Sequence, residues 1–390
     1  MNYILFDGPF RDNLRPFTFT RPVADIRIGI LTIREKWERF LKATTTTVTE
    51  DYLSKKWPMV EMESNVMINA AFCPSKSLIS QIKNLEEGQV LIHRDQFVAF
   101  LLKENEKVEL ENFNSVELKE DPVFIENTWD IFSKNAEAIQ ADFEFLTEDR
   151  TSIPIPGFVQ CFGENAIFIE EGADVKAASL NAEDGPIYIG KNSKIMEGSH
   201  IRGPFALCEN ATLKMGAKIY GGSTIGPHSK VGGEFSNSVI FGYSNKGHDG
   251  FLGNAVIGEW CNLGADTNNS NLKNDYGDIK LWDYDKEGFK KTGLQFCGLM
   301  MGDHSKCGIN TMFNTGTVIG VSANIFGGGF PRVFIPSFSW GGSNGFKTYK
   351  TGKAYEVAGK MMQRRGLSFN EIEEEILENV FEKTKAYRRW

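Results

Sequence analysis

The chain has 390 residues, more than one ordinary domain of about 150, and its 41% hydrophobic and 24% charged residues exclude a disordered or collagen-like polymer. Its apolar runs fall short of the roughly 18 residues a spanning helix needs, and 51 acidic against 43 basic residues give a net charge of −8, which excludes general attraction to nucleic acid or anionic membrane. Six cysteines without a C-x-x-C pair, and an opening stretch with no basic start or cleavage site, read as a cytoplasmic protein with reduced, buried thiols.

Residues 3–6 read as a strand, residues 30–41 carry helical spacing (Ile30, Ile33, Trp37, Leu41), and residues 44–49 are β-branched. Residues 67–69 end another strand. Residues 75–85 read as a helix closed by Gly88, and residues 90–93 and 97–102 as a hairpin turning at Arg94-Asp95. Strands alternating with helices predict an α/β layer over residues 1–150. Residues 130–146 read as a helix leading out, and residues 151–157, with Pro154 and Pro156, as a linker.

From there the chain repeats. Ile189, Ile195, Ile201, Leu207, Leu213, Ile219, Ile225 and Val231 are aliphatic and six apart, and the residues two before them (Ser193, Ser199, Ala211, Ala217, Ser223, Ser229) are mostly small. The phase returns at Ile257 and Leu263, and again at Met301, Cys307, Phe313, Ile319 and Ile325. A period of six fits neither a helix nor a long strand. It predicts a β-helix over residues 151–345, in which each hexapeptide supplies a short strand and a corner and three make a triangular coil. His228 and His304 fall at corners, and His93 and His200 in or beside strands. Two breaks in phase, residues 234–252 and 267–299, read as insertions leaving the prism, where function is usually placed. Residues 346–390 read as a helical tail, with a capping box from Ser368 to Glu371.

The first break and the following coil contain Lys246-Gly-His-Asp-Gly-Phe-Leu-Gly253, then Ile257-Gly-Glu-Trp-Cys-Asn-Leu-Gly-Ala265, then Asn271. Near the start stands Leu14-Arg-Pro-Phe-Thr-Phe-Thr-Arg-Pro22. In this order, behind an α/β front, the chain resembles the bifunctional N-acetylglucosamine-1-phosphate uridylyltransferase/glucosamine-1-phosphate N-acetyltransferase family, in its divergent Bacteroidetes-type sugar-1-phosphate nucleotidyltransferase branch. The resemblance implies a Rossmann-like nucleotidyltransferase-like front domain and a left-handed parallel β-helix assembled as a homotrimer. It implies acetylation of a hexosamine 1-phosphate by acetyl-CoA, with His248 as the base. Lys246, Asn262, Asn271, Ala265 and Lys291 would meet the substrate, and Ala265 and Asn310 the acetyl-CoA. The segment from Asn271 to Lys291 would reach a neighbouring subunit and help to close the site. In the front domain, Arg11, Arg15, Arg21, Asp25 and Asn69 would serve a nucleotide or sugar phosphate, with Mg2+ if that domain is active.

The chain departs from this pattern at Phe251, where the family often has tyrosine, and at Glu234-Phe-Ser236, which lacks the family's lysine. The stretch matching the family's nucleotide loop, Asp7–Asn13, has a single glycine, and Asn69 stands where the family places a magnesium-binding aspartate. Two alternatives follow. One is a catalytically inactive front domain that binds a nucleotide sugar as a regulatory module. The other is a different acyltransferase on the same prism.

Overall fold

A computed structural model describes residues 2–106, 113–163 and 166–390. The front domain contains β1 (Asn2–Phe6), β2 (Arg27–Ile28), β3 (Leu31–Thr32), β4 (Thr46–Val48), β5 (Ser64–Asn69), β6 (Gln89–His93), β7 (Gln96–Lys103) and β8 (Asn114–Glu117). One mixed sheet runs β4-β1-β5-β7-β6-β8, with β1 parallel to β4 and β5, and β7 antiparallel to β5 and β6. The β6–β7 hairpin turns at Arg94 (φ 48°) and Asp95 (φ 63°), both left-handed as a tight two-residue turn requires.

The helices of this domain are α1 (Ile33–Leu41), α2 (Asp51–Ser54), α3 (Lys76–Lys83), α4 (Asp130–Ser133) and α5 (Asn135–Thr147). Helix α1 starts later than its apolar spacing suggests, because Thr32 and Glu35 form a capping box there. Its Trp37 is fully buried and donates its indole N–H to the Phe72 carbonyl at 2.9 Å.

Behind the linker the chain winds into a parallel β-solenoid with three sheets as faces. The eight aliphatic residues from Ile189 to Val231 point inward and are at most 2% exposed. The small residues before them have a specific task. Ser193 donates to the Gly190 carbonyl at 2.7 Å and Ser223 to the Tyr220 carbonyl at 2.6 Å, so each hydroxyl satisfies a corner carbonyl three residues back.

The first phase break is not an excursion. Leu207 pairs with Ile225, eighteen residues on, but Ile225 pairs with Ile240 and Val231 with Lys246, fifteen on. Residues 234–252 therefore form rungs of shorter coils, Phe235 pairing with Leu252. The corner tightens, helped by Gly233 (φ 75°), while the ladder continues.

The second break does leave the prism. Strands Lys280–Asp283 and Gly288–Lys291 form an antiparallel hairpin that folds back on its own chain. Trp282 stacks on Phe334 at 4.0 Å, Tyr284 meets Phe19 edge-on at 5.2 Å, and Lys290 donates to Asn127 Oδ1 at 3.0 Å. Trp282 and Tyr284 thus find their partners within the chain, whereas Tyr276 (66%) and Phe289 (47%) stay exposed.

The tail forms α6 (Thr351–Gln363) and α7 (Glu371–Lys383). Asn370, not Ser368, caps α7, its side chain accepting from the Ile372 and Glu373 N–H groups at 3.1 Å. Leu377 and Val380 join a core shared by the front domain and the far end of the prism, with Phe381 against Phe338 at 5.1 Å. That core is continuous across the domain junction: Phe17 packs on Phe241 at 5.1 Å, beside buried Val239 and Val256. Among the described residues no helix is long and apolar enough to cross a membrane. Cys73, Cys208, Cys261, Cys297 and Cys307 are buried, and Cys161 is half-buried.

Candidate functional site

His248 is an exposed corner residue between Asn245–Lys246 and the strand Phe251–Gly253. Successive coils stack at this corner through main-chain bonds from Asp266 N–H to the Asp249 carbonyl (3.1 Å) and from Asn310 N–H to the Ala265 carbonyl (2.8 Å). His248, Ala265 and Asn310 thus lie along one edge of the prism. Asp266 (φ 57°) and Asn310 (φ 55°) hold the left-handed corner conformation that short polar side chains tolerate. Asn262 is on the face leading into this edge, where its Oδ1 accepts from Asn245 Nδ2 at 3.0 Å. The Phe251 ring lies over Gly253, where a Cβ would fall within 2.3 Å of it.

Lys246 is not at the surface to meet a phosphate. It takes an inward register position opposite Val231 and is 2% exposed. Its ammonium donates to the carbonyls of Gly232 (3.1 Å), His248 (2.6 Å) and Asp249 (3.2 Å), so it ties down the corner that carries the imidazole. Burial pushes its pKa down to about 8, against partial support from Asp249 and Asp266.

Asn271 is across the neighbouring face from His248, bonded through Nδ2 to Asn254 Oδ1 at 2.8 Å. One chain does not bring the two together. Lys291 ends the docked hairpin, opposite Lys280, and its position follows that hairpin rather than the His248 corner.

In the front domain, Asn69 ends β5 beside the loop after β1, at the carboxyl ends of parallel strands where α/β sheets hold ligands. The loop presses close: a Cβ on Gly8 would fall 2.7 Å from the Asn69 amide. Yet Asn69 is fully buried, donating to the Phe97 carbonyl at 2.9 Å and accepting from Ala71 N–H at 3.0 Å. Nearby Asp7 is held by Arg11 Nε (3.0 Å), Thr49 (2.6 Å) and Val23 N–H (2.7 Å), and burial raises its pKa. These donors do not fit a magnesium ion. One is a neutral amide engaged at both ends and the other a carboxylate closed off by its own partners. Among the described residues no group of three or more His, Cys, Asp or Glu is placed for a metal.

The other charged candidates are occupied in the same way. Arg15 pairs with Asp12 and Asp285, Asp25 with Arg34, and Arg21 with Asp303 and Glu259. Thr20 adds a 2.7 Å bond to Asp303 Oδ2, and Arg27 donates to the Phe241 carbonyl at 2.9 Å. The segment from Arg11 to Arg27 is therefore a buttress between the domains. Its charges were visible in the sequence, but their partners, up to 282 positions away, were not.

Residues 3–151 match the family model described as sugar nucleotidyl transferase, which covers the α/β front and ends at the linker. The chain is similar to the bifunctional protein GlmU of Methanococcus aeolicus, 26% identical over 192 residues, which is 49% of this chain and 42% of that protein. It is also similar to the putative uncharacterized acetyltransferase YaiX of Escherichia coli K12, 28% identical over 153 residues, which is 39% of this chain and 64% of that one. The chain thus spans less than two thirds of the length of either relative. Among solved structures, LpxA of Bacteroides fragilis, a UDP-N-acetylglucosamine acyltransferase, aligns with a TM-score of 0.26 and 18% identity over 60% of this chain and 84% of that chain.

Proposed function

We propose that the prism is an acetyltransferase acting on a hexosamine 1-phosphate with acetyl-CoA as donor, in cytoplasmic amino-sugar nucleotide synthesis. The observation that carries this reading is the stacking of His248, Ala265 and Asn310 on successive coils at one edge, with the Asn262 amide on the adjoining face. As the amine attacks the thioester carbonyl, the imidazole takes the amine proton and coenzyme A leaves as the thiolate. The pantetheine runs along Ala265 and Asn310, with the thioester beside the imidazole. Because Asn271 lies across a face from His248, a threefold assembly that apposes one chain's Asn271 edge to the next chain's His248 edge completes the site. The test is thiol release from acetyl-CoA in the presence of glucosamine 1-phosphate. His248→Ala should abolish it, and release unchanged by that substitution would remove the catalytic role.

For the front domain the Asn69 amide, neutral and engaged at both ends, favours a nucleotide-sugar-binding module over metal-dependent nucleotidyl transfer. Measurable binding of UDP-N-acetylglucosamine without pyrophosphate release from uridine triphosphate, magnesium and N-acetylglucosamine 1-phosphate is the expected result. Sustained pyrophosphate release would overturn it.

A further inference from the structure

Helix α6 and the face of the prism beside it enclose a cleft of about 240 Å³, lined among others by Lys230, Tyr243, Trp260, Asn262, Arg364 and Arg365. It opens on the corner that begins the Asn262 strand, whereas the His248 corner ends that strand. Its wall is a stack of rings: His228 on Tyr243 at 4.8 Å, Tyr243 on Trp260 at 4.4 Å and 16°, and Trp260 on His304 at 6.3 Å. All four have positive φ, between 52° and 61°, at a corner where the preceding coils use Asn192 and Asn210. Asparagine and histidine suit that conformation, while Tyr243 and Trp260 resist it. The turn does not ask for Tyr243 and Trp260 here, and both line the cleft.

The charge in the cleft is of one sign. Arg11, Arg21, Arg34 and Arg150 each meet a carboxylate, but among the described residues Lys230, Arg364 and Arg365 have no ion pair. Half-buried Lys230 has its pKa lowered by burial and then by the repulsion of Arg365, Lys214 and Arg364. Like charges gathered over an aromatic wall are relieved by an anion. Asn262 gives its Oδ1 to Asn245, which leaves its Nδ2 to donate to a hydroxyl or carbonyl.

We propose that this cleft is a binding site for a phosphate monoester of a sugar or nucleoside. The phosphate is held by Lys230, Arg364 and Arg365, and the ring lies against Tyr243 and Trp260. Its volume suits a sugar phosphate or the head of a mononucleotide, not a whole coenzyme A. The site shares Asn262 with the acetyl-transfer reading but does not use the His248 imidazole.

Calorimetric titration of the full chain with glucosamine 1-phosphate, uridine monophosphate and inorganic phosphate tests the proposal. At least one ring-bearing ester should bind more tightly than inorganic phosphate, and the tighter of the two identifies the ring. The exposed double substitution R364Q/R365Q should weaken that binding at least about tenfold, and W260L should weaken the ester but not inorganic phosphate. Absence of binding at millimolar ester, equal affinity for inorganic phosphate, or indifference to R364Q/R365Q would overturn the site. So would loss of binding in His248→Ala, which would assign the ester to the other corner.

Discussion

Lys246 occupies a position that aliphatic residues fill in the coils on either side, and its ammonium replaces their packing with three bonds to the carbonyls of the His248 corner. Its folded pKa of about 8 lies below that of an unfolded lysine, near 10.4. The unfolded chain therefore binds more protons between those values. This group's contribution to stability is poorest below pH 8 and improves as pH rises towards 10.4. Lys306, which burial also lowers to about 8, adds in the same direction. The buried thiols of Cys73, Cys208, Cys261 and Cys297, raised by burial, oppose this above about pH 8.5. The lysine contribution is therefore read by difference: between about pH 7.5 and 10 the urea midpoint should rise relative to that of Lys246→Met. An identical slope in the variant would show that the ammonium does not titrate as its surroundings dictate. Asn69→Asp is the converse case. A buried carboxylate cannot donate to the Phe97 carbonyl, so a loss of about 1–3 kcal/mol is expected in chemical denaturation, with no gain of magnesium-dependent turnover.

At the scale of elements, the hexapeptide strands were legible because every rung must point one side chain into the prism, and a polar residue there is costly. The shortened coils were not. Tightened corners shift the six-residue phase while the ladder stays intact, so Phe235, Ile240 and Leu252 looked like an insertion although all three are core. Ile240→Ala should cost about 2–5 kcal/mol, as in any packed core, measurable as a lowered denaturant midpoint, whereas a residue in a projecting loop would cost little. The docking of the hairpin of residues 280–291 on its own chain was illegible for another reason. Its partners Phe19, Asn127 and Phe334 are remote in sequence, and a local pattern records that rings need burial but not where they find it. The candidate acetyl-transfer corner was half legible: the order of His248, Ala265 and Asn310 lies in the sequence, while the inward turn of Lys246 is set by coil length.

Across the whole molecule, the front domain is fastened to the prism by a shared apolar core and by Arg21, which is 6% exposed and answers Asp303 and Glu259. Removing a partner from such a buried pair leaves an uncompensated charge. Asp303→Ala should therefore destabilise the protein by about 3–5 kcal/mol in urea unfolding, and a change under 1 kcal/mol would refute the buttress. The assembly has its own expectation: light scattering should return three times the mass of one chain, with a dimer or monomer excluding the apposition of Asn271 and His248 edges. The central claim is that the corner of His248, Ala265 and Asn310 is where acyl transfer takes place. A structure of the protein with acetyl-CoA tests it most directly. The account predicts the pantetheine along Ala265 and Asn310, with the thioester beside the imidazole, and a thioester bound away from that corner would contradict it.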